Sequence, residues 1–159
     1  MNIRVGFGYD VHQFADSREL WIGGIKIEHS KGLLGHSDAD VLIHALCDAI
    51  LGAANLRDIG FHFSDKDPKF KNIDSKILLR DTMLLLRSNN YEFGNADCTI
   101  CTEEPKINPY INSMQKCLSE VMSTSAENIS IKATTSERMG FVGREEGVAA
   151  YATVLIYKI

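Results

Sequence analysis

Four cysteines in 159 residues are too few for a disulfide scaffold, which fits a reducing compartment. Two of them form Cys98-Thr99-Ile100-Cys101, but no second CxxC accompanies the pair. It falls in a run that reads as a strand, where residues three apart face opposite sides, so small buried thiols are expected. Positive charge is also short: 17 Lys and Arg against 21 Asp and Glu give a formal net charge of −4. General nucleic-acid binding needs a surplus of cations on one face, so nucleic acid is excluded as a partner and any phosphate is met locally. No stretch approaches the roughly 18 apolar residues of a membrane span. The opening Met1-Asn2-Ile3-Arg4-Val5 lacks a basic segment followed by an apolar run, so a soluble, cytoplasmic protein is expected. No repeat, low-complexity stretch or linker divides the chain. Its length and 45% hydrophobic content suit a single domain over residues 1–159 with a real core.

The most informative stretch is Gly6-Phe7-Gly8-Tyr9-Asp10-Val11-His12. In an extended strand alternate side chains share a face, so Asp10 and His12 point the same way, roughly 6–7 Å apart. Gly6 and Gly8 share that face and suggest an open trough, while Ile3, Val5, Phe7, Tyr9 and Val11 on the other face suggest core. A carboxylate with imidazoles suits a divalent metal such as zinc and leaves one coordination position free. An Asp-x-His pair taken alone fits better a strand end with a surface carboxylate and a satisfied histidine. A following helix, expected over 39–54 with Ser37 or Asp38 as its cap, packs through Val41, Leu42, Ala45, Leu46, Ala49 and Ile50. Asp40, His44 and Asp48, four apart, form one stripe of that helix. His44 is the natural third ligand for Asp10 and His12, and Asp48 a candidate acceptor for the second N–H of an imidazole.

Elsewhere, Leu20-Trp21-Ile22 and Ile25-Lys26-Ile27 flank Gly23-Gly24, the spacing of a tight hairpin. Residues 55–68 read as a long polar loop whose carboxylates could meet substrate hydroxyls or serve only as turn chemistry. A leucine-rich helix is expected over 75–88, a strand over 91–101, a helix over 110–122, and strands over 129–133 and 148–157. Strands alternating with helices point to an α/β layered domain. Thr102-Glu103-Glu104-Pro105-Lys106 and Thr134-Thr135-Ser136-Glu137 both follow strand ends, where ligand sites gather. In the second, hydroxyls and N–H groups could hold phosphate oxygens, and Glu137 a hard cation bridging them. Gly140-Phe141-Val142-Gly143-Arg144 suits close backbone approach to an anion. The last strand is apolar on both faces, which a neighbouring subunit or helices on both sides would cover.

In order along the chain, Gly8-Tyr9-Asp10-Val11-His12, His36-Ser37-Asp38-Ala39-Asp40, Asp58-Ile59-Gly60, Pro105-Lys106, and Lys132-Ala133-Thr134-Thr135 through Gly143-Arg144 resemble the methylerythritol cyclodiphosphate synthase family of the non-mevalonate isoprenoid pathway. The resemblance implies an α/β (α+β layered) fold: a mixed β-sheet with helices packed on one side, in a homotrimer whose three sheets surround the threefold axis. Active sites would lie between adjacent subunits. It implies a phosphorus–oxygen lyase that closes a cytidine-diphosphate derivative of methylerythritol phosphate to the cyclic diphosphate and releases CMP, with neither membrane nor nucleic acid as partner. By position, Asp10, His12 and His44 match zinc ligands, and Glu137 the ligand of a second cation, Mg2+ or Mn2+. His36 and Thr135 match residues that steady the transition state. Substrate contacts fall at Asp10, His12, His36, Ser37, Phe63, Ser64, Lys66, Asp67, Phe141 and Arg144, with Asp58, Ile59 and Gly60 at the ribose and Asp65 near the methylerythritol hydroxyls. Thr102, Pro105, Lys106, Ile107 and Asn108 would surround cytosine, and Thr134, Thr135, Ser136 and Glu137 would meet the diphosphate. A substrate phosphate oxygen is itself the nucleophile in that chemistry, so positioning and charge neutralisation are the protein's task. Tyr151 and Glu145 depart from some relatives, which have Glu and Gly there, so a lipid-like ligand in a central cavity is not carried over. A zinc phosphohydrolase and a non-catalytic nucleotide-binding trimer use the same residues. Three convincing ligands instead of four favour an open, catalytic metal site.

Overall fold

Thirteen residues of alternating exposure, Ile3–Ala15, form β1, the longest strand. Its partners in the computed structural model, which describes residues 2–159, are set by sequence-distant runs; Met1 of the opening stretch lies outside the described residues. The remaining strands are β2 (Leu20–Ile22), β3 (Ile25–Ile27), β4 (Gly32–Leu33), β5 (Tyr91–Cys101), β6 (Ile129–Thr134) and β7 (Gly147–Lys158). The helices are α1 (Val41–Ala53), α2 (Ile59–His62), α3 (Ser75–Ser88), α4 (Ile111–Met122) and α5 (Gly140–Gly143). Five strands make one mixed sheet in the order β4-β1-β7-β5-β6, parallel only between β5 and β6. The β2–β3 hairpin stands apart and turns at Gly23 and Gly24, whose φ values of 63° and 78° suit glycine. Among the described residues no helix is long and apolar enough to cross a membrane.

The layered α/β expectation holds: α1 packs on β1 and β7, α3 on β5 and α4 on β6. Leu42, Leu46 and Ile50 of α1 are fully buried, each worth about 1.5–3 kcal/mol of apolar burial. The face assignment of β1 is reversed. Gly6 and Gly8 are buried, and a Cβ on either would lie 1.9 Å from a backbone oxygen of α1. The absence of side chains thus serves contact between helix and sheet, not a trough. The apolar side, expected to be core, faces out: Val5 is 65% and Phe7 64% exposed, and Tyr9, Tyr151 and Tyr157 continue the patch. Tyr151 packs its ring 5.1 Å from that of Tyr9. So β7 is covered by helices on one face only.

Two local expectations also change. The cap of α1 is Asp40, since Ala39 adopts φ 58° and delays the helix past Ser37 and Asp38. Within 55–68 the chain forms α2, capped by Asp58, whose carboxylate accepts the Phe61 N–H at 2.9 Å. The strand reading around the CxxC pair stands: Cys98 is buried, Cys101 is half-buried and both are free.

Candidate functional site

Because Gly6 and Gly8 let α1 press on β1, His44 reaches the end of the strand that carries Asp10 and His12. The Asp10 Oδ2 atom lies 2.9 Å from His12 Nε2 and 3.1 Å from His44 Nδ1, and the two nitrogens are 3.1 Å apart. Burial pushes the Asp10 carboxyl up, but hydrogen bonds and charge from His12 and His44 outweigh it and hold it at about 2. Burial pulls His12 down, but the hydrogen bond and charge of Asp10, with the Leu34 carbonyl and the charge of Asp40, together outweigh it and raise it. His12 Nδ1 lies 2.7 Å from the Leu34 carbonyl oxygen, which only accepts, so Nδ1 carries the proton and Nε2 faces the cluster. Ligand atoms from all three residues lie within 4.8 Å of one another. One carboxylate and two imidazoles converging with an open side fit a divalent ion of the zinc type.

The stripe of Asp40, His44 and Asp48 divides into three tasks. Asp40 is fully buried and accepts N–H bonds from Gly23, Gly24 and Ile43, tying the hairpin to the start of α1. Asp48 does not receive an imidazole N–H: its carboxylate accepts the Ile59 N–H at 2.7 Å and anchors α2. The second nitrogen of His44 instead meets the hydroxyls of Ser75, at 3.0 Å, and Ser37, at 3.1 Å. Ser75 was invisible as a partner, because it sits in a run that reads only as a helix start.

The cluster opens on a cavity of about 340 Å³. His36, Ser37, Ile59, Gly60, Phe63 and Asp65 join His12 and His44 in its wall, with Phe70, Ile73 and Leu78 as its apolar part. Asp58 caps α2 beside it. Ser64, Lys66 and Asp67 are not in the wall. Ser64 Oγ accepts the Lys66 N–H and Asp67 accepts the Lys69 N–H, which is turn chemistry.

A second cavity of about 230 Å³ gathers Thr102, Pro105, Lys106, Ile107, Asn108, Thr134 and Thr135 with Ala133. The two cavities share no lining residue. Register explains the separation: Val11 pairs with Ala149, Ala149 with Cys101, and Cys101 with Thr134. Three strand spacings put Thr134 about 14 Å from β1. Ser136, Glu137, Phe141 and Arg144 line neither cavity, and Arg144 pairs with Glu146 at 2.7 Å. Glu137 is exposed at φ 53°. Glu103, given no role of its own within the Thr102-to-Lys106 run, is buried and accepts N–H bonds from Ser136 and Arg138, both at 3.1 Å, and the Ser136 hydroxyl at 3.2 Å. It shapes the turn that carries Glu137.

The YgbB family model matches residues 3–157. A protein of Parabacteroides distasonis named 2-C-methyl-D-erythritol 2,4-cyclodiphosphate synthase is 67% identical over 159 residues, covering 100% of this chain and 99% of its own. A Bacteroides fragilis protein of the same name is 63% identical over the full length of both. Among solved structures, the IspF–CDP complex of Plasmodium falciparum matches with a TM-score of 0.86 and 34% identity over 99% of this chain and 97% of its own. The bifunctional IspDF of Campylobacter jejuni matches with a TM-score of 0.96 and 40% identity over 99% of this chain, which spans 43% of that longer one.

Proposed function

The chain belongs to the YgbB family, and from that membership we propose that it carries out the reaction for which its relatives are named. It converts 4-diphosphocytidyl-2-C-methyl-D-erythritol 2-phosphate to 2-C-methyl-D-erythritol 2,4-cyclodiphosphate and CMP, as a lyase of the non-mevalonate isoprenoid pathway. An oxygen of the 2-phosphate forms a bond to the β-phosphorus, and the bond from that phosphorus to the CMP oxygen breaks. No protein nucleophile takes part. The carrying observation is the Asp10, His12 and His44 cluster at the mouth of a 340 Å³ cavity.

In this reading Asp10, His12 and His44 hold zinc, and Glu137 holds a magnesium or manganese ion at the diphosphate. When bound, the cations offset charge on the phosphoryl oxygens. The chain's own residues do the positioning. Asp58, Ile59 and Gly60 present α2 to the ribose, Phe63 and Asp65 meet the methylerythritol end, and Ser37 and His36 stand at the entrance to the cluster. Thr102, Pro105, Lys106, Ile107 and Asn108 hold cytosine, while Thr134 and Thr135 hold phosphate oxygens, Thr135 with His36 at the reacting centre. Ser64, Lys66, Asp67, Ser136, Phe141 and Arg144 are assigned to the substrate's outer contacts.

A homotrimer joins the two cavities. Two observations support it: the β1 and β7 face is apolar and exposed, and the residues assigned to the metal and to the nucleotide line separate cavities of one chain. The single domain over 1–159 is then one third of the assembly. Four free cysteines agree with a cytoplasmic setting.

Phosphorus NMR of the chain with the cytidine-diphospho substrate and magnesium tests the reaction. A cyclic diphosphate with CMP, lost when zinc is chelated, is expected. An acyclic product would make the chain a phosphohydrolase, and unchanged substrate a binding module.

A further inference from the structure

The second nitrogen of His44 closes a hydrogen-bond network with Ser75, Ser37 and Asp38. Ser75 is fully buried in the first turn of α3. Its hydroxyl lies 2.5 Å from Asp38 Oδ1 and its backbone N–H donates to Asp38 Oδ2 at 3.0 Å. A carboxylate at neutral pH only accepts, so the Ser75 hydroxyl proton goes to Asp38. That leaves Ser75 Oγ as an acceptor toward His44 Nε2, 3.0 Å away. Ser37 Oγ accepts the Ala39 N–H at 3.1 Å and lies 3.4 Å from Ser75 Oγ, a contact in which either hydroxyl can donate. Ser37 Oγ lies 3.1 Å from His44 Nε2 and, as a hydroxyl, can accept from it as well. With the Ser75 acceptor on that side, His44 can hold its proton on Nε2 when a metal is bound and turn the lone pair of Nδ1 to the cluster.

We propose that Ser75, oriented by Asp38, is a positioning residue that fixes the tautomer of His44 and so readies Nδ1 as a metal ligand. The inference rests on the reading of Asp10, His12 and His44 as a metal site. The two imidazoles then bind through unlike nitrogens, each set by its outer partner: Nε2 of His12, opposite the Leu34 carbonyl, and Nδ1 of His44, opposite Ser75. Losing an outer partner of this kind weakens metal binding by about 10–100-fold.

Zinc affinity is read by competition with a chromophoric chelator, with no substrate present. The site of the imidazole proton is read by two-bond nitrogen–proton NMR of the zinc-loaded, 15N-histidine-labelled chain. Wild type is expected to show His44 protonated on Nε2. Ser75→Ala, which leaves the Asp74 cap of α3 in place, is expected to bind zinc about 10–100-fold more weakly, and Ser75→Thr, which restores the hydroxyl, more tightly than Ser75→Ala. Asp38→Asn keeps Ser75 but sets a donor against a donor, so it weakens zinc in the same direction even if Ser75→Ala folds poorly. Wild-type affinity in both Ser75→Ala and Asp38→Asn, or a His44 proton on Nδ1 in wild type, overturns the proposal. Failure of wild type to bind zinc overturns instead the metal reading beneath it.

Discussion

Gly8→Ala tests the link between helix packing and the metal cluster. A Cβ at Gly8 would lie 1.9 Å from the Ala45 carbonyl oxygen and 2.8 Å from the Ala49 nitrogen. Both are backbone atoms of α1, so no rotamer change relieves the clash. Restoring ordinary contact requires the helix to move out by about 1.5 Å. His44, the residue before Ala45, moves with it, while Asp10 and His12 stay on β1. Metal–ligand distances tolerate only about 0.2 Å, so the variant should lose more zinc affinity than the roughly 100-fold of a lost outer partner. Overpacking costs about 1–3 kcal/mol where side chains can adjust, and backbone displacement puts this substitution at the upper end. Gly52→Ala is the control: nothing lies within 4 Å of its Cβ in the last turn of α1, and alanine there should add about 0.5–1 kcal/mol. Urea unfolding and zinc titration of both variants check the pair. A Gly8→Ala chain that unfolds and binds zinc like wild type would refute the packing argument.

Proton linkage should shape the metal-free chain. The lowered Asp10 contributes stability above its ordinary 3.8, lost as pH falls through about 2, and the raised His12 contributes below its ordinary 6.5, lost as pH rises through its higher folded value. The stability difference between wild type and Asp10→Asn should therefore peak between those ordinary values; a flat difference by urea unfolding at several pH values contradicts this. Phe7→Asp, placing a charge in the exposed apolar face, should turn a trimer into monomers in sedimentation experiments, and an unchanged mass would remove that face from the assembly. Glu103→Ala leaves the Ser136 and Arg138 N–H groups without their acceptor, so substrate KM should rise more than zinc affinity falls, as steady-state kinetics and zinc titration will show.

Much of the scaffold is legible in the sequence because it is local. Gly23-Gly24 announces the hairpin, and α3 and β5 carry their periods to the ends observed. Convergence of Asp10, His12 and His44 follows from two periodicities and the residues' chemistry. The β1 faces were misread for a physical reason: alternation tells which residues share a face, but burial depends on what lies opposite. Gly6 and Gly8 meet a helix, and Phe7 meets no helix among the described residues, only the ring of Tyr151 beside it. Asp40 was hidden as the cap because Ser37 and Asp38, equally competent, precede it. The partners of His44 and the bracket at Glu103 depend on long-range proximity, Ser75 being 31 residues from His44 and Ser136 33 from Glu103. No spacing within one element encodes such contacts. A four-residue helix such as α2 has too little length to show a period.

Sharing of the site between neighbours is the account's central claim, and mixing two inactive chains tests it most directly. His44→Ala damages only the cavity at the Asp10, His12 and His44 cluster and Thr135→Ala only the cavity proposed for the nucleotide, so each alone should give almost no cyclic diphosphate. Co-expressed in equal amounts they should form mixed trimers in which about one interface in four pairs two intact halves. Cyclic diphosphate and CMP should then appear at about a quarter of the wild-type rate. Mixed trimers that stay as inactive as the separate variants would contradict the claim and place both halves of the site within one chain.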